Sequence, residues 1–287
     1  MQFHVISLIS DTNISADTLS RVQGDVQDAL IDEARAVLAS ANAVVVLTGA
    51  GISTDSGIRD FRGPNGLWTK NPEAEKLATL QHYVSDPEVR KRSWQWRLDS
   101  VSETFRPNAG HRALVDLERR GNLELLITQN VDGLHLAAGT SREHLVEIHG
   151  TTSDVVCLSC DDRAPMQVAL DRVRAGEDDP PCRLCGGILK SATISFGQGL
   201  VETDLRRSDE AARRADVLLA VGSTLGVYPI ANVVPIAKAH GATVIIVNGG
   251  PTEMDDLADI RLEGPISDLL PAIVGPDAQT ATSEASV

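Results

Sequence analysis

The stretch that decides the fold is residues 43–51, AVVVLTGAG. Its first five residues, Ala43-Val44-Val45-Val46-Leu47, form a short β-branched apolar run, which is typical of a strand buried on both faces of a parallel sheet. The run ends abruptly in Thr48-Gly49-Ala50-Gly51, which predicts a tight turn. A helix is predicted before the strand, because apolar residues from Val26 to Ala41 recur at i, i+3 and i+4 spacing and Asp25 is placed to cap the first turn.

The same arrangement of an apolar run and a polar or glycine-rich tip recurs three more times. The runs are Leu123–Ile127, Val217–Val221 and Val244–Val247, and their tips are Thr128-Gln129-Asn130-Val131-Asp132, Gly222-Ser223-Thr224 and Asn248-Gly249-Gly250. Helical patterns lie between the runs at Gly110–Arg120, Glu202–Arg214 and Ile230–His240. This alternation predicts an α/β fold with a doubly wound, Rossmann-like parallel sheet. Ligands bind outside the carboxyl ends of the strands in such sheets, so the four tips indicate the site.

Two stretches interrupt the alternation and divide the chain. Residues 61–107 are rich in proline, tryptophan and charge, and residues 153–189 hold all the cysteines. We predict that these insertions build a smaller zinc-ribbon-plus-helical lobe, whereas residues 25–60, 108–152 and 190–274 form the large lobe. Residues 1–24 are predicted to be a loose leader, and residues 275–287 a disordered tail.

The composition excludes several classes of protein. The chain has 287 residues, 42% of them hydrophobic, and 26 basic against 40 acidic side chains give a net charge of −14. This charge would repel a phosphate backbone, so nucleic acid is not an expected partner. No run of about 18 apolar residues occurs, so no membrane partner is expected either. The first ten residues lack the pattern of a secretory signal, which predicts a cytoplasmic location. The oligomeric state is left open.

The four cysteines form two pairs with metal-binding spacing. Cys157 and Cys160 make the first CxxC knuckle, and Cys182 and Cys185 make the second. Two such knuckles complete a tetrahedral site of four sulfurs with no open position, which predicts a structural and not a catalytic zinc ion. Free buried thiols and a redox dithiol are the alternatives. A zinc ribbon that binds nucleic acid is a third, which the acidic residues of the insertion disfavour.

Two further features indicate chemistry at the strand tips. Gly49-Ala50-Gly51 suits a phosphate-binding turn, although Thr54 occupies the place of the third fingerprint glycine, and a turn without a ligand is an equal alternative. Among the seven histidines, His149 is the best candidate for a general base, because it follows the predicted strand 144–148 and precedes the cysteine insertion. It would therefore lie on the cleft between the lobes. A purely structural histidine is the alternative there, and His135 is a supporting candidate near the Asp132 tip.

Taken in order, these motifs resemble the sirtuin family of NAD-dependent protein-lysine deacylases, of the bacterial type. The resemblance runs from about residue 28 to residue 272. The matching segments are Gly49-Ala50-Gly51-Ile52-Ser53, Ser56-Gly57-Ile58, Asp60-Phe61-Arg62-Gly63, Thr128-Gln129-Asn130-Val131-Asp132-Gly133-Leu134-His135, His149-Gly150, the four cysteines, Phe196-Gly197, Gly222-Ser223-Thr224-Leu225 and Asn248.

The resemblance implies NAD as a co-substrate, one structural Zn²⁺ per chain, and acyl-lysine proteins or peptides as substrates. It implies that the acyl oxygen attacks C1′ of the nicotinamide ribose, that nicotinamide leaves, and that His149 acts as general base on a ribose hydroxyl. The products would be free lysine, nicotinamide and O-acyl-ADP-ribose. The implied NAD residues are Ala50 and Gly51 near the diphosphate, with Gly49 and Ser53 as further cofactor-binding residues of the same loop; Asp60, Phe61 and Arg62 on the cofactor loop; Gln129, Asn130 and Asp132 around the ribose and nicotinamide; and Gly222, Ser223, Asn248 and Ile266 at the adenosine half.

The implied peptide contact is strand pairing with backbone near Phe196-Gly197 and Val227. Two other functions stay open: mono-ADP-ribosylation of a protein acceptor, and a non-catalytic sensor of NAD or ADP-ribose. A histidine at position 149 argues against the sensor, because binding alone needs no base there.

Departures from the family pattern concern the cofactor loop and the substrate. Arg59 and Ser191 stand where the family usually has proline, and Gln198 replaces the usual glutamate. Arg59 predicts altered NAD affinity, because it loses a fixed φ and adds a cation. The segment 66–72, GLWTKNP, lacks the Tyr-x-x-Arg pair of desuccinylating sirtuins, so a neutral acyl group is expected.

Overall fold

The computed structural model describes residues 16–60, 66, 70, 79–100 and 105–275. The strands are β1 Val44–Thr48, β2 Leu123–Thr128, β3 Leu145–Glu147, β4 Gly150–Cys157, β5 Arg163–Pro165, β6 Leu189–Thr193, β7 Val217–Val221, β8 Thr243–Asn248 and β9 Ile260–Glu263. The helices are α1 Ala16–Ser40, α2 Leu80–Ser85, α3 Pro87–Ser100, α4 Ala109–Arg119, α5 Leu134–Ala138, α6 Met166–Arg174, α7 Glu202–Arg214, α8 Val233–Ala239 and α9 Ile266–Val274. Short 3-10 helices cover Ala50–Ser56, Ile230–Asn232 and Asp255–Leu257.

The large lobe is built on a six-stranded parallel sheet with the order β3-β2-β1-β7-β8-β9. The predicted doubly wound sheet is therefore confirmed. The chain leaves β1 first toward β2 and β3, and later returns to the other side of β1 with β7, β8 and β9. The loops after β1 and β7 thus flank the point where the strand order reverses, which is where open α/β sheets bind ligands.

Alternation of side chains along β1 supplies the core on both faces of the sheet. Val44 and Val46 pack with the cluster that includes α1, α4 and α9, whereas Val45 and Leu47 pack with the cluster of α7 and α8. All four side chains are fully buried. Two-sided burial explains why the β1 sequence is apolar without interruption.

The small lobe contains a second sheet, which is antiparallel with the order β5-β4-β6. Its core packs Trp94 of α3 and residues of α6 against the sheet and against Cys157 and Cys182. Two predicted lobe boundaries need correction, because residues 150–152 lie in β4 and residues 190–193 lie in β6, although the sequence placed both in the large lobe. The reason is that β4 continues from the end of β3 into the cysteine segment, and Gly150 pairs with Thr193 of β6.

The N-terminal helix is longer than predicted. α1 begins at Ala16, so residues 16–24 of the predicted loose leader are helical. Its later turns are held to the C-terminal region, because Gln27 Nε2 donates to the Glu263 carbonyl and Arg35 Nε to the Ala272 carbonyl. Once such a helix is anchored, adding turns toward its N-terminus costs little. Residues 1–15 and the tail beyond Gly275 lie outside the described residues.

Candidate active site

Two glycine-bearing loops interlock at the end of the central strands. The Gly49 N–H donates to the Val221 carbonyl at 2.9 Å, and the Gly51 N–H donates to the Gly222 carbonyl at 2.8 Å. A Cβ on Gly51 would lie 2.7 Å from Gly222 Cα, and a Cβ on Gly49 would lie 2.7 Å from the Gly222 oxygen. The glycines are therefore required by loop-to-loop contact, and these two N–H groups are already occupied within the protein. Ala50 lies between them.

The tip of β2 brings together three polar side chains that the resemblance assigned to NAD. Ser53 Oγ donates to Asp132 Oδ2 at 2.8 Å, and Asn130 Nδ2 lies 3.2 Å from Ser53 Oγ and 3.1 Å from the Gly49 carbonyl. Asp132 Oδ1 also accepts the Leu134 N–H, which fixes the carboxylate at the start of α5. Ser53, Asn130 and Asp132 thus form one hydrogen-bonded group that spans the loops after β1 and β2.

His149 lies at the junction of the two lobes, between the end of β3 and the start of β4. Its Nδ1 is 3.0 Å from the Gln129 carbonyl, and because a carbonyl only accepts, Nδ1 carries the proton. Nε2 is then the basic atom, and no residue in the described part of the chain bonds to it. Burial lowers the pKa of His149, and the hydrogen bond to Gln129 opposes this in part. The imidazole is therefore neutral at pH 7 and can accept a proton at Nε2.

Gln129 links the base to the loop after β7. Its backbone N–H donates to the Thr48 carbonyl at 2.9 Å, and its side-chain Nε2 donates to Ser223 Oγ at 2.9 Å. Ser223 Oγ also accepts the Leu225 N–H. The carbonyl that orients His149 is therefore fixed by contacts with the ends of β1 and β7.

A second group of buried polar side chains lies at the ends of β1 and β2, and the sequence predicted it only in part. Thr48 and Thr128 end β1 and β2 in register, and their hydroxyls are 2.8 Å apart. Thr48 Oγ1 lies 3.0 Å from His135 Nε2, and the Asn130 N–H donates to Thr128 Oγ1. The His135 ring packs 4.9 Å from the ring of His111, centroid to centroid. Burial lowers the pKa of His135 to about 3 and that of His111 to about 4. A polar residue at the last position of each strand was the available signal.

The four cysteines meet as predicted. Their sulfur atoms all lie within 4.8 Å of one another, with Cys157 Sγ 3.5 Å from Cys185 Sγ and Cys160 Sγ 3.8 Å from Cys182 Sγ. Sulfurs around a tetrahedral zinc ion at about 2.3 Å are about 3.8 Å apart, so the arrangement fits zinc. Backbone N–H groups of Ser159 and Gly187 donate to Cys157 and Cys185, as thiolate ligands require.

The residues predicted to contact a peptide lie on two loops. Phe196 is 38% exposed, and its carbonyl accepts the Leu80 N–H, so that carbonyl is not open to a substrate strand. Gly197 is exposed, with φ at +82°. Val227 is half-buried in the loop after β7, and its carbonyl accepts the Ala231 N–H.

The remaining predicted NAD residues lie in different surroundings. Asn248 ends β8, and its Nδ2 donates to the Gly250 carbonyl at 2.8 Å. Ile266 is 5% exposed and packs in the large-lobe core, so its predicted adenine contact stays a prediction. Asp60 is half-buried and follows the 3-10 helix 50–56, whereas Phe61 and Arg62 lie outside the described residues.

The hydrogen-bond donors and acceptors at this edge suit a dinucleotide. Hydroxyl, amide and carboxylate groups of Ser53, Gln129, Asn130, Asp132 and Ser223 are the partners that ribose hydroxyls and a carboxamide need. They converge on the strand-order switch point, next to a neutral base. The residues present therefore fit NAD.

Comparison with known proteins agrees with the motifs. A model of the Sir2 family matches residues 49–229. The chain is 51% identical over 231 residues to NAD-dependent protein deacetylase 2 of Streptomyces coelicolor, covering 80% of this chain and 96% of that protein. It is 37% identical over 247 residues to the NAD-dependent protein deacylase of Pyrococcus furiosus, covering 85% and 97%.

Solved structures give the same likeness. A structure described under the mechanism and regulation of Sir2 enzymes superposes with a TM-score of 0.77 at 37% identity, covering 86% of this chain and 97% of that one. A Sir2 complex with a deacetylated p53 peptide and 3′-O-acetyl ADP ribose superposes with a TM-score of 0.76 at 31% identity, covering 85% and 96%.

Proposed function

The chain belongs to the Sir2 family, and from this premise we propose that it is an NAD-dependent protein-lysine deacylase with His149 as its general base. The observation that carries the proposal is the hydrogen bond from His149 Nδ1 to the Gln129 carbonyl, which leaves Nε2 basic at the cleft between the lobes. The named relatives are NAD-dependent protein deacetylases or deacylases, and one related complex holds a deacetylated peptide with acetyl ADP ribose.

The protein's own residues would divide the work as follows. His149 Nε2 accepts the proton of a ribose hydroxyl, and the Gln129 carbonyl keeps the ring in the orientation and tautomer that this needs. Asn130, Asp132 and Ser53 orient the nicotinamide half, whereas Ser223 and Asn248 hold the adenosine half. When bound, NAD supplies the ribose that accepts the acyl group and the nicotinamide that leaves.

The zinc site would hold the small lobe together. Cys157 and Cys182 are buried in the same core as Trp94, so a metal there ties both cysteine knuckles to the packing of α3 and α6. All four sulfurs would be ligands, which leaves no position for a substrate. The role of zinc is therefore structural.

The proposal also covers the substrate and its acyl group. An acyl-lysine peptide would enter between the Phe196-Gly197 loop and Val227, and a neutral acyl group is expected. Segment 66–72, on which this expectation rests, lies mostly outside the described residues. None of the helices in the described ranges is long and apolar enough to cross a membrane. A cytoplasmic location and the lack of a nucleic-acid partner stay predictions.

The experiment incubates the zinc-loaded protein with NAD and an acetyl-lysine peptide and follows all products by mass spectrometry. Deacylation predicts that nicotinamide, deacetylated peptide and O-acetyl-ADP-ribose appear in equal amounts. Nicotinamide release with an unchanged peptide and added ADP-ribose mass on protein would instead support ADP-ribosylation. NAD binding without turnover of several acyl peptides would favour the sensor.

A further inference from the structure

The side chain of Asn108 joins two elements at the edge of the proposed site. Asn108 is the N-cap residue of α4, and its Oδ1 accepts the backbone N–H groups of Gly110 at 2.9 Å and His111 at 3.3 Å. Its Nδ2 donates to the Ile52 carbonyl at 2.7 Å and to Ser56 Oγ at 3.0 Å. One half-buried side chain therefore connects the start of α4 to the 3-10 helix that follows β1.

The orientation of the Asn108 amide follows from its partners. A backbone N–H only donates and a carbonyl only accepts, so the amide oxygen faces Gly110 and the amide nitrogen faces Ile52. The two ends of the amide therefore do different things. Oδ1 caps the helix, whereas Nδ2 holds the loop that contains the predicted NAD residues Gly51 and Ser53.

The hydrogen bond to Ile52 acts on the backbone of Ser53. The Ile52 carbonyl and the Ser53 N–H belong to one planar peptide group, so a bond at the carbonyl orients the backbone that leads into Ser53. The Ile52 side chain is fully buried in the large-lobe core, which anchors the loop, and the bond to Asn108 sets the tilt of the peptide plane. Ser53 Oγ donates to Asp132 Oδ2 at 2.8 Å, and this contact depends on that tilt.

Segment 105–108 also covers the C-terminal end of the same 3-10 helix. The backbone turns through Gly57, where φ is +90°, and Asn108 holds Ser56 just before this turn. A Cβ on Gly57 would lie 3.7 Å from the Phe105 ring. The start of the 3-10 helix is held by the loop after β7, so the helix is supported at both of its ends.

We propose that Asn108 is a positioning residue for NAD binding, which acts through Ser53. Loss of the Nδ2 donor would free the peptide before Ser53 to tilt and would weaken the contact with Asp132 that orients the nicotinamide half. This role rests on the proposed NAD-dependent function, because it concerns the same pocket. Asn108 is not among the residues that the family resemblance assigns to the cofactor.

The test uses two substitutions that keep the cap and remove the amide donor. Aspartate and serine cap helices about as well as asparagine, so Asn108→Asp and Asn108→Ser should both preserve the start of α4. Only the aspartate adds a charge. We expect the Kd for NAD, measured by calorimetry on the zinc-loaded full chain, to rise about tenfold in both variants, as for the loss of one hydrogen bond. The melting temperature should fall by only a few degrees.

Asn122→Asp is the matched control. Asn122 is also half-buried, and its Nδ2 donates to the Ala41 carbonyl at 2.5 Å where β2 begins, away from the strand tips. The substitution removes the same kind of amide-to-carbonyl bond as Asn108→Asp does. Its melting temperature should therefore fall by a similar amount, whereas its Kd for NAD should match the wild type.

A double-mutant cycle with Ser53→Ala tests the route of the effect. If Asn108 acts through Ser53, Asn108→Ser should weaken NAD binding much less in the Ser53→Ala background than in the wild type. Full additivity of the two effects would overturn the proposal.

Three other results would also decide the question. An unchanged Kd in folded Asn108→Ser would overturn the proposal, and this variant carries the test if Asn108→Asp does not fold. A weaker affinity in Asn108→Asp alone would assign the effect to charge and overturn it as well. Failure of the wild type to bind NAD would overturn both this role and the proposed function, whereas NAD binding without peptide turnover would refute only the deacylase activity and leave the affinity comparison decisive.

Discussion

The buried pair of His111 and His135 makes the free energy of unfolding depend on pH in a calculable way. His111 is fully buried and His135 is 2% exposed, and burial holds their pKa values at about 4 and about 3, against 6.5 for an unperturbed histidine. The unfolded chain therefore takes up protons below pH 6.5 that the folded protein does not. Folding stability is present in full above that pH and falls as the pH is lowered toward the folded pKa values.

The magnitude at pH 5 follows from the unfolded state. At pH 5 the solution is about 1.5 pH units below the pKa of a histidine in the unfolded chain. At about 1.36 kcal/mol per unit, protonation of each histidine stabilises the unfolded state by about 2 kcal/mol. His111 and His135 together should lower the unfolding free energy by about 4 kcal/mol between pH 7.5 and pH 5.

The assay is urea unfolding of the zinc-loaded protein at both pH values, for the wild type and for His135→Gln. The variant should lose about 2 kcal/mol of the pH-dependent difference, whatever its stability at pH 7.5. The zinc site is common to both proteins, so its own pH response cancels. His240→Gln is the control, because His240 is exposed at the end of α8 and its replacement should leave the difference unchanged. An identical pH dependence in the wild type and His135→Gln would refute the reasoning.

Three further predictions concern the glycine loops, the metal and the cofactor loop. Gly51→Ala should lose about 1–3 kcal/mol of stability and raise the KM for NAD, because its Cβ meets Gly222 backbone. Gly199→Ala should keep the wild-type stability and KM, because its Cβ meets nothing within 4 Å. Equal denaturation midpoints in the two variants would contradict the close contact between the Gly51 and Gly222 loops. Cys182→Ala should bind less than one zinc per chain by atomic absorption and lose the fold of the small lobe, and a metal-free variant with full activity would exclude a structural zinc. Arg59→Pro should change the KM for NAD in steady-state kinetics, and an unchanged value would show that the exposed Arg59 side chain has no influence on the cofactor loop.

The sheet could be predicted because its signals are local. The strands β1, β2, β7 and β8 are mostly apolar runs that end in polar or glycine-rich tips, whereas the edge strand β9 alternates between buried and exposed residues and was not predicted. The predicted helix 202–214 has the same bounds as α7. The start of α1 could not be located from an apolar period, because its anchoring contacts come from β9 and α9, more than 200 residues away.

The sequence named residues that the structure brings together at the sheet edge, but it did not show the contacts among them. The sequence showed glycines at positions 49, 51 and 222, and it gave no sign that the two loops touch each other. It placed His149 at the cleft by position, whereas the tautomer follows from the Gln129 carbonyl. The burial of Lys190, which is 3% exposed, was also hidden, because a charged residue in a strand is ordinarily solvated.

The most direct test of the central claim compares His149→Ala with His82→Ala, an exposed histidine on α2. The measured quantities are the Kd for NAD by calorimetry and kcat for an acetyl-lysine peptide. The account predicts that His149→Ala binds NAD within a few-fold of the wild type and loses at least a hundredfold in kcat, as expected for removal of a general base. His82→Ala should match the wild type in both quantities. Near-normal deacetylation by a folded His149→Ala would contradict the account.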